Sequence, residues 1–285
     1  MEAELAAGCR DIGPAAGVFR GFTIPSAYTL AMIRYSRIPL GGALLLAALL
    51  LPAAHAADNP PTHTVPDTLA QRIASCTACH GEHGEGSPGT GFFPRLAGKP
   101  AEYLARQLRY FQLGLRRYGP MEYTVRPLSD AYMHEIAEYF AQQEVPYTPS
   151  PTPKVSAALL ARGQALTEQG DPSRKIPPCE ACHGSQLTGV APSTPGLVGL
   201  PYDYVSSQLG SWRTGTRAAA APDCMATIAN RLSPEDITAV SAWLATRQLP
   251  ADMHAQPAGS VTPPLECGVL GNAPASAAPV KGDGA

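Results

Sequence analysis

No run of lysine or arginine interrupts this chain of 285 residues, and 21 basic side chains stand against 23 acidic ones. Without a basic stripe it lacks the electrostatic footprint of a nucleic-acid binder. Charge is flat along the chain as well: residues 66–148 carry 8 Lys and Arg against 9 Asp and Glu, and residues 154–250 carry 8 against 7. No apolar run is of comfortable membrane-spanning length. The stretch from Ile38 to Leu51 stops short of the roughly 20 residues a spanning helix needs. A βαβ pattern is also absent, which removes the usual setting of a thioredoxin-like Cys-x-x-Cys.

What the N-terminus does have is the layout of an export signal. Met32-Ile-Arg34-Tyr-Ser-Arg37 is basic, Ile38 to Leu51 is apolar, and Ala54-His55-Ala56 is an A-x-A cleavage site. Residues 1–31 read as an extension upstream of the true start, residues 32–56 as the signal, and the mature chain as beginning near Ala57. An uncleaved anchor is the alternative. Either way the bulk of the chain is expected in an oxidising compartment, the periplasm, with loose membrane association open.

Seven cysteines are present, and four fall in one motif used twice. Cys76-Thr-Ala-Cys79-His80 and Cys179-Glu-Ala-Cys182-His183 both carry the attachment signature of a c-type haem. Two cysteines at this spacing suit the two vinyl groups of one haem, and the adjacent histidine suits the proximal iron position. A Cys-Cys-His zinc site is the competing chemistry. It is a poor one, because adjacent Cys182 and His183 are awkward co-ligands.

The motif is part of a larger internal repeat. Cys76, Cys79 and His80 align with Cys179, Cys182 and His183 at an offset of 103. Leu96, Gly98, Pro100, Tyr103, Gln107, Leu108, Gly114 and Arg116 align with Leu197, Gly199, Pro201, Tyr204, Gln208, Leu209, Gly215 and Arg217 at 101. Met121, Leu128 and Ser129 align with Met225, Leu232 and Ser233 at 104. Met121 and Met225, 41 and 42 residues after their histidines, are therefore the candidate sixth iron ligands, each expected on a loop before the last helix of its half. Thioether sulfur favours Fe(II), so Met/His ligation raises the potential. Met133 reads as core, Met253 as part of the tail, and His83, His134 and His254 as solvated. Pro94 and Pro195 follow the two histidines by 14 and 12 residues, where a loop carbonyl can accept the imidazole N–H.

Each half reads as helices joined by long loops. Helices are expected from about Glu102 to Arg116, Ser156 to Gln169, Asp203 to Arg213, and after Ser233. The last has an N-cap serine, Pro234 at the first helical position and Asp236 three residues on. Met133, Ile136, Ala137 and Phe140 share one helical face, as do Ile237, Val240 and Leu244. Gly84–Gly91 and Gly189–Gly196 are expected to be loops. The segment Val145 to Pro153 holds four prolines in nine residues and reads as a semi-rigid linker. Most of residues 251–285 reads as poorly ordered, except around Cys267.

The repeated Cys-x-Ala-Cys-His-Gly, Phe93-Pro94-Arg95-Leu96-Ala97-Gly98, Ile176-Pro-Pro-Cys179 and the two Met-x6-Leu-Ser segments resemble the di-haem class I cytochromes of the cytochrome c4 family. The resemblance covers about residues 66–248. It implies a mostly α fold of two tandem cytochrome c domains, each small and helical around a covalent haem, two haem c groups in all. The boundaries drawn here are 57–148 and 154–250, with 149–153 the Pro-rich linker. It implies a periplasmic carrier of single electrons in a respiratory chain, feeding a terminal oxidase, with a membrane cytochrome complex, oxidase or dehydrogenase as partner. A cytochrome subunit of a dehydrogenase acting on an alcohol or a sulfur compound is the alternative, and a di-haem peroxidase is a further one. Cys224 and Cys267 lie outside the pattern. An oxidising compartment favours their pairing, which would staple the tail and brace the loop carrying Met225.

Overall fold

The computed structural model describes residues 67–87, 91–148 and 150–270. The expected export segment, the residues upstream of it, and residues 271–285 lie outside the described residues. All described residues fall in one compact unit, His63–Ala285.

The first half contains α1 (Leu69–His80), α2 (Ala101–Gln112), α3 (Gly119–Val125) and α4 (Asp130–Ala141). The second contains α5 (Ala157–Glu168), α6 (Glu180–His183), α7 (Tyr202–Thr214), α8 (Cys224–Arg231) and α9 (Pro234–Thr246). The fold is mostly α. Among the described residues no helix is long and apolar enough to cross a membrane.

Side-chain caps set the helix starts. Thr68 Oγ1 accepts from Gln71 N at 3.3 Å, Ser129 Oγ from Tyr132 N at 3.2 Å, and Ser156 Oγ from Leu159 N at 3.2 Å. Helix α9 opens with the full capping box. Ser233 Oγ accepts from Asp236 N, and Asp236 Oδ2 accepts from Ser233 N, both at 3.0 Å. Each such cap is worth on the order of 1 kcal/mol. Helix α2 stops at Gln112 rather than Arg116, because Gly114 turns the chain at φ +69°. That frees Arg116 to lie on a bridge between the halves.

Two cores follow from the helical faces. Ile73, Leu104, Ala105, Ile136, Ala137 and Phe140 form the first. The second, larger core is built around Leu166, Tyr204, Leu209, Ile237, Val240 and Leu244. Helix α5 lies close along α9 there, and Met133 is buried in the first half as expected.

Three expectations need correction. The glycine-rich loop of the second half holds a small antiparallel hairpin, β1 (Gly189–Val190) paired with β2 (Thr194–Pro195). Met121 and Met225 sit in the first turns of α3 and α8, not on loops. Pro120 in the first turn of α3 and the Asp223 cap on Ala226 N at 2.9 Å start these helices. Residues 251–270 of the tail are ordered: Gln256 pairs with Val190 in a parallel bridge, and Gly268–Leu270 form a 3-10 turn. The start of the proline-rich stretch is anchored too. Buried Arg95 donates to the carbonyls of Val145 at 2.5 Å and Pro146 at 3.0 Å, and its guanidinium lies 3.8 Å from the centre of the Tyr147 ring.

Candidate haem sites

Two cavities, one centred on each half, gather the residues the repeat singled out. The first is lined by Cys76, Cys79, His80 and Met121. The second is lined by Cys179, Cys182, His183 and Met225. In the first half α1 runs straight through the Cys-x-x-Cys-His motif. In the second, α5 ends at Glu168, eleven residues before Cys179, and the motif forms its own single turn, α6.

Both histidines are buried and oriented alike. His80 Nδ1 lies 2.8 Å from the Pro94 carbonyl, and His183 Nδ1 lies 2.8 Å from that of Pro195. A carbonyl is acceptor only, so Nδ1 carries the proton and Nε2 is left with its lone pair. Burial holds both imidazoles below the usual histidine range, although the proline carbonyls work in the opposite direction. A neutral imidazole with a fixed tautomer is what an iron ligand requires.

Cys76, Cys179 and Cys182 are partly buried and held as thiols, whereas Cys79 is exposed. Burial pushes Cys179 up to about 11 and raises Cys76 and Cys182. Buried, protonated thiols are poor redox nucleophiles. No group of three or more His, Cys, Asp and Glu side chains among the described residues is arranged to hold a metal ion. His83, His134 and His254 are exposed, and Met253 packs against the second core.

Between the cavities lies a polar cluster whose roles sequence reasoning missed. Arg116 donates to Gln107 Oε1 at 3.0 Å, and to Tyr204 Oη and Gln208 Oε1 at 2.9 Å each. Arg217 returns the pattern, to Gln208 Oε1 at 2.6 Å, Gln107 Oε1 at 3.1 Å and Tyr103 Oη at 3.5 Å. Backbone bonds complete it: Arg117 N to Thr216 O at 2.9 Å and Ala218 N to Leu115 O at 2.6 Å. Tyr103, Gln107 and Arg116 are the repeat equivalents of Tyr204, Gln208 and Arg217, so the halves meet through matching residues. The signal lay in the alignment: three polar positions recur at one offset with no core role to explain them.

This cluster tests whether the residues suit a haem. Lys99 and Arg217 are buried and line both cavities, and half-buried Arg116 lines the first. Among the described residues none of the three forms a salt bridge to a carboxylate; their partners are carbonyls, amides and phenols. Burial lowers the pKa of Lys99 and of Arg217. Burial would raise the Tyr204 phenol, but Arg116 and Arg217 beside it hold it below the usual tyrosine range. Trp212 Nε1, on the wall of the second cavity, is buried without an acceptor. Uncompensated buried cations are costly. A group bringing carboxylates to this spot, as haem propionates would, fits the donor set.

Cys224 and Cys267 are joined by a disulfide, next to Met225 and at the rim of the second cavity.

Comparisons with known proteins agree with this geometry. The cytochrome c family model matches residues 68–145. A thiosulfate dehydrogenase electron acceptor from Thiomonas intermedia is 38% identical over 220 residues, 77% of this chain and 94% of that protein. A cytochrome c4 from Pseudomonas aeruginosa is 34% identical over 203 residues, 70% of this chain and 94% of that protein. Among solved structures, thiosulfate dehydrogenase TsdBA from Marichromatium purpuratum superposes with a TM-score of 0.57 at 33% identity, over 64% of this chain. The superposed region makes up 39% of the TsdBA chain.

Proposed function

Because this chain belongs to the cytochrome c4 family, we propose that it carries single electrons between protein partners through two covalently held haem c groups, one in each cavity. A haem iron supplies the one-electron change between Fe(III) and Fe(II). The protein supplies attachment, ligation, burial and a partner surface. Cys76 and Cys79 hold one group, and Cys179 and Cys182 the other. His80 and His183 offer Nε2 to the iron, each kept in orientation by a proline carbonyl. Met121 and Met225, each in the lining of its half's cavity, would offer the iron a thioether. Arg116, Arg217, Lys99 and Trp212 take the propionates and replace water around them.

One observation carries the proposal: two equivalent cavities each bring together a cysteine pair, an oriented neutral histidine and a methionine, around a shared cluster of unbalanced cations. The export signal supports a periplasmic setting. The carrier role is reversible one-electron exchange with no bond chemistry on a substrate, so the protein itself is not an enzyme.

The test is spectroscopic. Exported protein should hold two haems per chain that resist acid extraction. Met121→Ala and Met225→Ala should each remove about half of the weak sulfur-to-iron absorption at the red edge of the visible spectrum. An intact band in either variant overturns the ligand assignment.

The names of relatives favour a particular donor. A thiosulfate dehydrogenase electron acceptor and a thiosulfate dehydrogenase structure support a thiosulfate-oxidising dehydrogenase delivering electrons here; a terminal oxidase as acceptor rests on the family resemblance alone. Rapid reduction of the oxidised protein by such a dehydrogenase plus thiosulfate, and none without the enzyme, would support the donor. No reduction under those conditions would remove that donor.

A further inference from the structure

The two halves differ in more than their repeat predicts. Residues 253–270 run along the second cavity as a strap, which among the described residues has no counterpart over the first. The strap begins on the proximal side. Gln256 Nε2 donates to Ser185 Oγ at 3.0 Å, two residues past His183. Gln256 N donates to Gly189 O at 2.9 Å, and Ala191 N donates to Gln256 O at 2.8 Å. Gly184 makes room for it, since a Cβ there would come within 2.8 Å of Gln256 Oε1.

The strap ends on the distal side. Cys267 is bonded to Cys224, beside Met225. Gly268 N donates to Pro222 O at 2.9 Å, in a fit so close that a Cβ on Gly268 would strike the Ala220 and Ala221 carbonyls. The Val269 carbonyl accepts from Arg106 Nη1 of the first half at 2.7 Å and from Ser193 Oγ at 3.2 Å. Pro263, Leu265, Cys267, Val269 and Leu270 line the second cavity. The first cavity has instead Cys79, which is exposed, and Phe92, 65% exposed and stacked on Tyr118 at 6.0 Å.

We propose that the strap is a fixed cover, latched by the Cys224–Cys267 disulfide, that closes the second haem site to external ligands and redox partners and leaves the first site as the port for exchange. The inference rests on the two-haem Met/His reading above. A donor meeting the protein would give one electron at the first site, reducing Fe(III) to Fe(II). The same electron would pass to Fe(III) at the second, and the first would return to Fe(III).

The experiment uses oxidised holoprotein and cyanide, followed by loss of the sulfur-to-iron band. Wild type should lose the band in two phases, at least tenfold apart in rate. Met121→His should abolish the fast one, placing the slow phase at the second site. Cys224→Ser/Cys267→Ser should speed the slow phase tenfold or more and leave the fast phase within twofold. Gly268→Val keeps both cysteines but displaces the strap, and should do the same. It separates loss of cover from slackening at Met225.

Electron entry is read with reduced flavin mononucleotide, a one-electron donor in each encounter. The first site should reduce at a rate proportional to donor, and the second at a rate independent of it. Equal cyanide rates at the two sites, a slow phase belonging to the first site, or a slow phase that neither variant accelerates would overturn the cover. So would donor-proportional reduction of both sites. Failure of the underlying reading looks different: the starting protein would lack two haems or the sulfur-to-iron band before any cyanide is added.

Discussion

Gly163 is a sharp place to perturb the second half, because two opposing effects of known size meet there. It lies within α5, on the face that packs along α9. In an exposed helix, Gly→Ala would stabilise by about 1 kcal/mol. Here a Cβ would stand 2.7 Å from the Ala239 carbonyl carbon and 2.7 Å from Trp243 Cβ, and closer still to the Ala239 oxygen. Ordinary contact begins at 3.4 Å. Backbone atoms of α9 cannot rotate out of the way as a flexible side chain would, so the two helices must part along a tightly packed seam. Overpacking costs about 1–3 kcal/mol, occasionally more, and approaches this close to backbone atoms belong in the upper half of that range, which outweighs the propensity gain. We expect Gly163→Ala to lose a net of about 1–2 kcal/mol, or roughly 2–8 °C in melting temperature for a chain of this size. Thermal unfolding of the holoprotein by circular dichroism, with separate probes at the Soret band and in the far ultraviolet, reads this directly. Gly163→Val should be worse. A Gly163→Ala protein as stable as wild type, or more so, would refute the steric reasoning.

Other outcomes follow from the sites. Met121→His and Met225→His should each keep the haem but lower one potential, by an amount on the order of a hundred millivolts within the ~0.8 V range that axial ligation commands; redox titration checks it. Arg217→Gln removes a buried cation that lines both cavities. It should lower both potentials, by the equivalent of an amount on the order of 1 kcal/mol at the effective dielectric of a protein interior, and a shift confined to one haem would contradict the shared wall. Acid should weaken the second half through Asp171 and Asp236. The Ser173 hydroxyl, Arg174 and Arg162 hold Asp171 well below the usual carboxylate range. Burial would raise Asp236, but Arg174, the Ser233 N–H and Arg162 outweigh it and hold it low as well. Depressed pKa values add stability that is fully present above the unfolded value of about 3.9 and is lost as pH falls through the folded value. Unfolding free energy should therefore drop progressively below about pH 4, with Asp236→Asn flattening the slope in urea titrations.

What was legible in the sequence was whatever local chemistry dictates. Covalent attachment needs two cysteines and a histidine at fixed spacing, so Cys76 to His80 and Cys179 to His183 could be read without any fold. Ser233, Pro234 and Asp236 announced α9 for the same reason, since a capping box is a property of four consecutive residues. The starts of α3 and α8 carry similar signals in Pro120 and Asp223, which outweigh the expectation of a loop at Met121 and Met225. Long-range pairing was harder. Nothing local in Tyr103, Gln107 and Arg116 says that they meet Tyr204, Gln208 and Arg217, although their recurrence at one offset was in plain sight. Order in residues 251–270 was invisible for another reason. Their Ala, Pro and Gly composition has no periodicity, and the segment is held instead by backbone bonds to Gly189, Ala191 and Pro222 and by one disulfide.

The seam between the halves has the form of an isologous contact, in which one patch meets its own copy. Two separate chains joined that way would come apart on dilution. Here the short segment from Val145 to Pro153, gripped at its start by Arg95, makes the encounter intramolecular, at an effective concentration that reaches millimolar for short linkers. The pairing of the halves is thus independent of how much protein a cell makes, and a seam of mostly neutral-partnered hydrogen bonds suffices to hold it. A single backbone cut in that segment would return the molecule to the law of mass action.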